Sequence, residues 1–274
     1  MTRKLERPLL LIGCGKMGGA MLDGWLGSGI AASGVHIVDP AGARPFRDRD
    51  GVTVHDGMET LPADLAPEVV VLSVKPQQMD AVMDGVKRFA GPDCLFVSVA
   101  AGKTIGYFQD RLGADAAIVR AMPNTPAAIG QGITVCCPNP VCSPAQSALA
   151  EDLLKAVGEA ATVEDESLID AVTALSGGGP AYTFWLIECM GEAGVAAGLP
   201  RELAERLALV TVAGAGQLAL RSGEAPATLR RNVTSPGGTT QEALSVLMRE
   251  EGGLDSLMRE AIAAAAARSR ELAG

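Results

Sequence analysis

Short apolar runs alternate with helical segments through the N-terminal part of the chain. Each run has the length of a buried strand, and the runs cover residues 8–12, 35–38, 52–54, 69–74, 95–99, 117–120 and 133–136. Nearly continuous apolar runs of this length are typical of parallel strands that are covered on both faces. The alternation predicts a doubly wound, mostly parallel sheet, whose ligands bind beyond the carboxyl ends of the strands.

Beyond residue 163 the pattern changes, because apolar residues recur with helical spacing and no strand-like run follows. The predicted helices cover residues 167–175, 180–197, 201–221, 225–231, 241–250 and 254–272. Pro180 suits the first turn of its helix, and Gly198 opens a Gly-Leu-Pro stop. The sequence therefore predicts an α/β fold, with an N-terminal Rossmann-type doubly wound domain (1–163) followed by an all-α domain (164–274).

The helical part is unusually apolar. Few charges lie between residues 191 and 220, the apolar positions of the helix 201–221 share one face, and Gly214 permits close packing. A well-packed monomer could contain such helices. So large an apolar set in a domain of this size nevertheless favours contact with a second copy, and we expect a homodimer.

The first predicted strand runs into a glycine-rich segment where a helix begins. Gly13, Gly15 and Gly18 have the spacing G-x-G-x-x-G. Asp39 ends the second predicted strand about 20 residues later, where an acidic residue binds the ribose in dinucleotide-binding folds. The first glycine permits the tight turn, the second lets a pyrophosphate approach the backbone, and the third lets helix pack on strand. The segment therefore favours dinucleotide binding over a plain βαβ turn.

The residues after the second strand bear on the choice of cofactor. Asp39 favours NADH, because its charge would repel a 2′-phosphate. Arg44, Arg47 and Arg49 follow closely and could neutralise such a phosphate, although they also suit a solvated loop. The sequence predicts a nicotinamide dinucleotide and leaves both NADH and NADPH open.

Further turns are predicted at the carboxyl edge of the sheet. Val74-Lys75-Pro76 closes the predicted strand 69–74, and Ala100 begins the turn after the predicted strand 95–99. Asn124 follows the predicted strand 117–120 and lies between two prolines. Lys75 is either a phosphate or ribose contact or a surface lysine. Asn124 either contacts the nicotinamide amide or forms an Asx-turn.

Composition narrows the possible partners. The net charge is −9, which argues against nucleic acid because phosphate neutralisation needs a basic face. The six cysteines contain no C-x-x-C pair, and the two histidines are not spaced with them as metal ligands, so we expect no metal site and reduced thiols. The first apolar run breaks early, so we expect neither a signal peptide nor a membrane span, and a cytoplasmic location.

The segment 233–240 reads Val-Thr-Ser-Pro-Gly-Gly-Thr-Thr and leads directly into a predicted helix. Alone, it is consistent with an ordinary turn that ends in an N-cap. It is also consistent with an anion site, because the unpaired N–H groups and the dipole at a helix start suit a carboxylate or phosphate.

The residue types that the helical part lacks limit the reactions that the protein can catalyse. It contains no His and no Lys, whereas an enzyme that oxidises an alcohol needs such a base. An imine differs, because it can arrive already protonated and its carbon then accepts hydride without a strong protein acid. A neutral hydroxyl such as that of Thr240 can orient the nitrogen. The groups available to hold a carboxylate are Ser235, Gly237, Gly238 and Thr239.

Six motifs occur in order along the chain, at residues 13–18, 74–76, 100–102, 120–126, 176–182 and 233–240. Together they resemble the Δ1-pyrroline-5-carboxylate reductase family of proline biosynthesis, and the last is highly specific. The resemblance implies a Rossmann domain and a helical dimerisation domain like the C-terminal domain of 6-phosphogluconate dehydrogenase, often assembled into decamers. It also implies the reduction of 1-pyrroline-5-carboxylate to L-proline by NADPH or NADH.

The resemblance assigns roles to particular residues. Thr240 is the expected catalytic residue, because the matching position in the family hydrogen-bonds the ring nitrogen. The expected substrate-binding residues are Ser235, Gly237, Gly238, Thr239 and Thr240. The expected cofactor-binding residues are Gly13, Cys14, Gly15, Lys16, Met17, Gly18, Asp39, Asp56, Val74, Lys75, Pro76, Ala100 and Asn124.

The chain departs from the family pattern at three places. Asp39-Pro40 stands where the family often has Asn or Ser followed by Arg, and Asp56 stands where Asn is common. Gly178 replaces a serine, which removes a hydroxyl near the substrate.

Three alternatives to this activity remain. Another imino-acid reductase would need the same groups. A β-hydroxyacid-dehydrogenase-like enzyme would want a helix lysine near residues 177–185, which is missing. A non-enzymatic nucleotide sensor would not need the intact segment 233–240.

Overall fold

A computed structural model describes residues 4–273. Within this range the strands are β1 (Leu9–Ile12), β2 (Val35–Val38), β3 (Val52–His55), β4 (Val69–Leu72), β5 (Leu95–Ser98), β6 (Ala117–Met122), β7 (Gly132–Pro138) and β8 (Gly158–Thr162). They form one sheet in the order β3-β2-β1-β4-β5-β6-β7-β8. The predicted doubly wound α/β fold is confirmed.

The central strand β1 is buried along its whole length. Leu9 pairs with Val35 of β2 on one side and with Val69 of β4 on the other, in both cases in parallel. Chain order reverses across β1, and in open α/β sheets ligands bind at such a switch point. Because side chains alternate along a strand, Leu9 contributes to the core on one face and Leu10 to the core on the other.

The sheet continues into two strands of different character. β6 pairs antiparallel with β7, and β7 pairs parallel with β8. We did not predict β8, because its sequence Gly-Glu-Ala-Ala-Thr has a single β-branched residue and no buried position. It forms where β7 offers a free edge and α4 (Pro144–Lys155) lies beside it.

Helices cover both faces of the sheet. α1 (Lys16–Ser28) and α4 pack on one face, and α2 (Met79–Val86) and α3 (Ile105–Leu112) on the other. The Trp25 Nε1–H donates to the carbonyl of Leu153 at 2.8 Å and so ties α1 to α4. Ser143 and Gln146 form a capping box that starts α4.

The described chain divides into two compact units, residues 4–177 with 265–273, and residues 178–264. The domain boundary after residue 163 stays a prediction. By its contacts, α5 (Leu168–Val172) lies in the first unit, because it packs Ile169 into the core of the sheet. A π-helical turn (Thr173–Gly177) follows α5 and closes this unit. The last nine described residues return to the same unit, where Ser269 is buried.

The second unit is helical, as predicted. Its helices are α6 (Gly179–Ala196), α7 (Arg201–Ser222), α8 (Pro226–Asn232), α9 (Thr239–Leu247) and the first half of α10 (Leu254–Ala273). α6 and α7 approach closely, because a Cβ at Gly194 would lie 3.1 Å from the Ala204 Cβ. Arg201 and Glu192 add an ion pair between the two helices, with 3.2 Å between Nη2 and Oε2.

The remaining surface of α6 and α7 is exposed and apolar. Side chains that are at least 42% exposed are Phe184, Trp185, Leu186, Leu203, Leu207, Leu209, Val210, Leu218 and Leu220. Gly214, which we expected at a close contact, has nothing within 4 Å of an added Cβ. By length and composition, α7 is the one described helix that could cross a membrane.

Candidate functional site

Two glycines set the start of α1 against the end of β1. Gly13 has a φ of +88°, in the left-handed region that favours glycine. A Cβ at Gly18 would lie 2.4 Å from the carbonyl oxygen of Gly13, so a larger residue would force the backbone apart. The positive φ of Gly13 and the close approach at Gly18 explain why the first and third positions of the motif are glycine.

The middle glycine faces open space. A Cβ at Gly15 would have no atom within 4 Å, and Gly15 is the N-cap of α1 without a side-chain cap. The helix start therefore presents backbone N–H groups and the positive end of the dipole to that space. A pyrophosphate fits there, because no side chain blocks its approach to the backbone.

Asp39 directly follows β2, where we expected it at the strand end, but its carboxylate turns onto the backbone. Oδ2 accepts a hydrogen bond from the N–H of Cys14 at 2.7 Å, and Oδ1 accepts one from the N–H of Ala41 at 2.8 Å. Asp39 thus braces the glycine-rich loop against the loop after β2. Its contact with a ribose stays a prediction, for which each oxygen keeps a second lone pair.

A pocket of about 300 Å³ opens beside this loop and is lined by Pro40, Ala41, Gly42, Arg44, Arg47 and Asp56. The Arg47 Nη2 lies 2.9 Å from the Asp56 Oδ1, and both side chains are more than half exposed, so water weakens the pair. Arg44 makes no ion pair within residues 4–273. Arg49 lies outside the pocket lining and pairs with Asp23.

The remaining residues of the glycine-rich loop differ in what they can offer. Lys16 is exposed, whereas Met17 packs its side chain against the core, so its backbone is the part available to a ligand. Burial raises the pKa of the Cys14 thiol to about 11, and the charges of Asp39 and Asp23 add to this shift. The thiol is therefore uncharged at neutral pH and does not repel a pyrophosphate.

Two neighbouring turns lie at the same edge of the sheet. After β4, Val74 places Cγ1 2.8 Å from where a Gly13 Cβ would be, and the exposed Lys75 precedes a 3-10 turn that begins at Pro76. After β5, the buried Ala100 donates its N–H to the Ser98 hydroxyl at 3.3 Å. The parallel strands thus bring these predicted residues to one edge.

Asn124, after β6, has its amide largely engaged within the protein. Its Oδ1 accepts from the N–H of Ile133 at 3.0 Å, and its Nδ2 donates to the Ser176 hydroxyl at 3.2 Å. Ser176 lies in the π-helical turn, a feature that is frequent at functional sites. A contact between Asn124 and the nicotinamide stays a prediction. In the structure, Asn124 connects the turn after β6 to β7 and to the π-helical turn.

The segment 233–240 forms an exposed turn between α8 and α9. Gly237 has a φ of +69° and donates its N–H to the Gln241 Oε1 at 2.7 Å. Gly238 donates its N–H to the carbonyl of Ser235 at 3.0 Å. Both glycine N–H groups that we expected to be free therefore have internal acceptors.

The start of α9 supplies other donors. α9 begins at Thr239, and its N-cap, Gly238, has no side chain to cap the first turn. Within residues 4–273, the hydroxyls of Ser235, Thr239 and Thr240 have no hydrogen-bond partner. This helix start therefore presents backbone N–H groups together with hydroxyl groups.

Comparison with known proteins assigns the chain to a family. The family described as "Pyrroline-5-carboxylate reductase dimerisation" matches residues 166–272. The family described as "NADP oxidoreductase coenzyme F420-dependent" matches residues 9–102. The chain is 43% identical to the pyrroline-5-carboxylate reductase of Pseudomonas aeruginosa, over 97% of this chain and 96% of that one. The chain belongs to the pyrroline-5-carboxylate reductase family.

Solved pyrroline-5-carboxylate reductases have similar structures. The enzyme from Coxiella burnetii superposes with a TM-score of 0.88 at 35% identity, over 97% of this chain and 98% of that one. The Plasmodium falciparum enzyme with NADP bound superposes with a TM-score of 0.81 at 27% identity, over 99% and 100% of the two chains. The whole chain therefore shares the fold of the family.

Two site features were missed by the sequence reasoning. The Asn124–Ser176 contact joins distant segments, and no local pattern announces it. The contact of Gln241 could have been predicted from the sequence, because a Gln three residues after a helix N-cap commonly reaches back to the backbone before the helix. Here it reaches Gly237 rather than the N-cap residue itself.

The contact between Gly18 and Gly13 yields a prediction about stability and cofactor binding. We expect Gly18→Ala to destabilise the protein by about 1–3 kcal/mol, because the new methyl group overpacks the turn, and to weaken nucleotide binding. Thermal unfolding and nucleotide titration measure the two effects.

Gly27, in the same helix, is a matched control for Gly18. It is exposed and has open space around an added Cβ. Gly27→Ala should therefore stabilise the protein by about 0.5–1 kcal/mol without affecting nucleotide binding. Equal behaviour of the two variants would show that the turn tolerates a side chain.

Proposed function

We propose that this chain reduces 1-pyrroline-5-carboxylate to L-proline with NADPH or NADH, the last step of proline biosynthesis. Its full-length similarity to pyrroline-5-carboxylate reductases supports this reaction. The structural observation that carries the proposal is the start of α9. There, the Thr239 and Thr240 hydroxyls and the first N–H groups of the helix are exposed to a ligand.

The reaction needs hydride at the imine carbon and a proton on the nitrogen. The imine nitrogen is basic and binds as the protonated iminium, so hydride transfer alone yields the amine. When bound, the reduced nicotinamide supplies the hydride. The Thr240 hydroxyl oxygen accepts a hydrogen bond from the iminium N–H and orients the ring. No His or Lys is required, in agreement with their absence from residues 164–274.

The substrate carboxylate binds at the turn before α9. In the structure, the Gln241 amide oxygen already accepts the N–H of Gly237, so an oxygen acceptor suits this position. A substrate carboxylate that displaces Gln241 would receive this N–H. It would also receive donors from Ser235 and Thr239, with Gly238 keeping the turn tight. The helix dipole adds to the attraction.

The cofactor binds at the carboxyl edge of the sheet. Its pyrophosphate lies over the start of α1, where Gly15 leaves open space and Gly13 and Gly18 hold the turn. The adenosine ribose lies toward Asp39 and Asp56. The remaining proposed contacts come from Cys14, Lys16, Met17, Val74, Lys75, Pro76, Ala100 and Asn124.

The protein forms homodimers through the exposed apolar faces of α6 and α7, and the dimers assemble further into decamers. The family description of residues 166–272 as a dimerisation region supports the dimer. Burial in this interface also accounts for the apolar character of α7 without a membrane. We place the enzyme in the cytoplasm, and its net charge of −9 disfavours nucleic acid as a partner.

Activity and the role of Thr240 are tested together. Wild-type protein should oxidise NADPH or NADH when 1-pyrroline-5-carboxylate is added. Thr240→Ala should lower kcat roughly 10- to 1,000-fold, because the ring loses its orienting hydrogen bond. Thr240→Ser should recover most of the activity. Full activity of Thr240→Ala would refute its role, and an inactive wild type would refute the reaction.

Cofactor preference should depend on Asp56. Asp56→Asn removes a negative charge from the pocket and frees Arg47, so it should lower the KM for NADPH relative to NADH by about two- to tenfold. Asp50→Asn removes an exposed charge outside the pocket lining and serves as the control. An unchanged ratio of the two KM values in Asp56→Asn would exclude this pocket from 2′-phosphate recognition.

The apolar face of α7 should hold the dimer together. In the double variant Leu207→Asp/Val210→Asp, buried charges should separate the two chains of each dimer, so the mass from light scattering after size-exclusion chromatography should fall to that of a monomer. Val141→Asp places a charge at an exposed apolar position in the other unit and should leave the mass unchanged. A dimeric double variant would place the interface elsewhere.

A further inference from the structure

A buried arginine lies directly behind the cofactor edge of the sheet. Arg120 is 2% exposed and stands on β6, between Ser98 of β5 and Cys137 of β7 in the strand register. β6 ends two residues later and leads into the turn that carries Asn124. A guanidinium is seldom buried so completely unless it is paired.

The partners of Arg120 come from distant parts of the chain. Its Nη1 lies 2.8 Å from the Glu166 Oε1, and its Nη2 lies 4.0 Å from the Asp170 Oδ1. The same Glu166 oxygen accepts the N–H of Ile105 at 2.8 Å. Ile105 is the first residue of α3, so Glu166 also interacts favourably with the positive end of that helix.

This network also reaches the end of α10. The Ser269 hydroxyl donates to the Asp170 Oδ1 at 2.6 Å. One turn later in the chain, Leu272 packs on Gly102, where an added Cβ would lie 3.1 Å from the Leu272 carbonyl oxygen. Gly102 has a φ of +72° and belongs to the turn that begins at Ala100. The end of α10 therefore lies against a turn at the cofactor edge.

Part of the buried Arg120 guanidinium lacks a hydrogen-bond acceptor in the described part of the chain. Within residues 4–273, the Arg120 Nε and Nη2 have no hydrogen-bond acceptor, although both are buried. Buried ion pairs that are incompletely hydrogen-bonded often contribute no net stability, because desolvation offsets the attraction. The residue is therefore better explained by what it positions than by what it stabilises.

We propose that Arg120 is a positioning residue for the cofactor, through the turns after β5 and β6. Through Glu166 and Ile105 it fixes the end of the turn after β5, which contains Ala100 and Gly102. Through its own strand it fixes the turn that carries Asn124. Asp170 and Ser269 attach the end of α10 to the same assembly. This inference rests on the cofactor site of the proposed function.

The test separates positioning from stability by direct titration of the purified full-length protein with NADPH and NADH, without substrate. Arg120→Lys keeps the charge but loses the planar fork that pairs with Glu166. We expect its Kd for both nucleotides to rise about 10- to 100-fold, because small misplacements of a site cost this much.

Asn139 provides the matched control. It is also 2% exposed and hydrogen-bonded, but it lies at the opposite end of β6, next to Ala116 and Ile118. Asn139→Ala should lower the melting temperature while leaving both Kd values within about twofold of wild type. If Arg120→Lys lowers the melting temperature and leaves both Kd values unchanged, Arg120 is purely structural and the proposal fails.

Ser269→Ala covers the case in which Arg120→Lys does not fold. It removes only the hydrogen bond between the buried Ser269 hydroxyl and Asp170, and we expect Kd for both nucleotides to rise about three- to tenfold. Unchanged nucleotide affinity in Ser269→Ala would overturn the link to α10. Because the readout is nucleotide binding, a wild type that binds NADPH but does not reduce the imine would refute the proposed reaction and leave this test valid.

Discussion

The structure depends on one close contact, the approach of Gly18 in α1 to the carbonyl of Gly13 at the end of β1. This contact lets α1 begin at the carboxyl edge of the central strand, directly beside the end of β4. A side chain at either position would push the helix start away from the sheet. The site that we assign to a pyrophosphate exists because two glycines permit this approach and a third, Gly15, leaves the space above it open.

An acidic protein that binds anions has to attract them locally. This chain carries a net charge of −9, yet both sites that we propose for anions use the start of a helix. At α1 and at α9, an N-cap glycine leaves the first backbone donors uncapped by a side chain. A short, fixed dipole attracts a carboxylate or pyrophosphate without the broad positive field that would also attract nucleic acid.

The sequence predicted most elements, because apolar runs and helix breaks are local signals. Seven of the eight strands were expected, and β8 was not, since pairing with β7 rather than its own composition forms it. Hydrogen bonds between distant segments were the main omission. That Asp39 braces Cys14, that Asn124 holds Ser176, and that Arg120 joins Glu166 follow only from the fold. For the same reason, the packing of Ile169 of α5 into the core of the sheet could not be read from the sequence, although the helix itself was predicted.

In the proposed reaction, hydride passes directly from a nicotinamide to the imine carbon of 1-pyrroline-5-carboxylate. The most direct test uses NADPH or NADH that carries two deuterium atoms at nicotinamide C4, with mass spectrometry of the product. Direct transfer should yield L-proline with one deuterium on the ring carbon that was part of the imine. Proline without deuterium, or no proline with either cofactor, would contradict it.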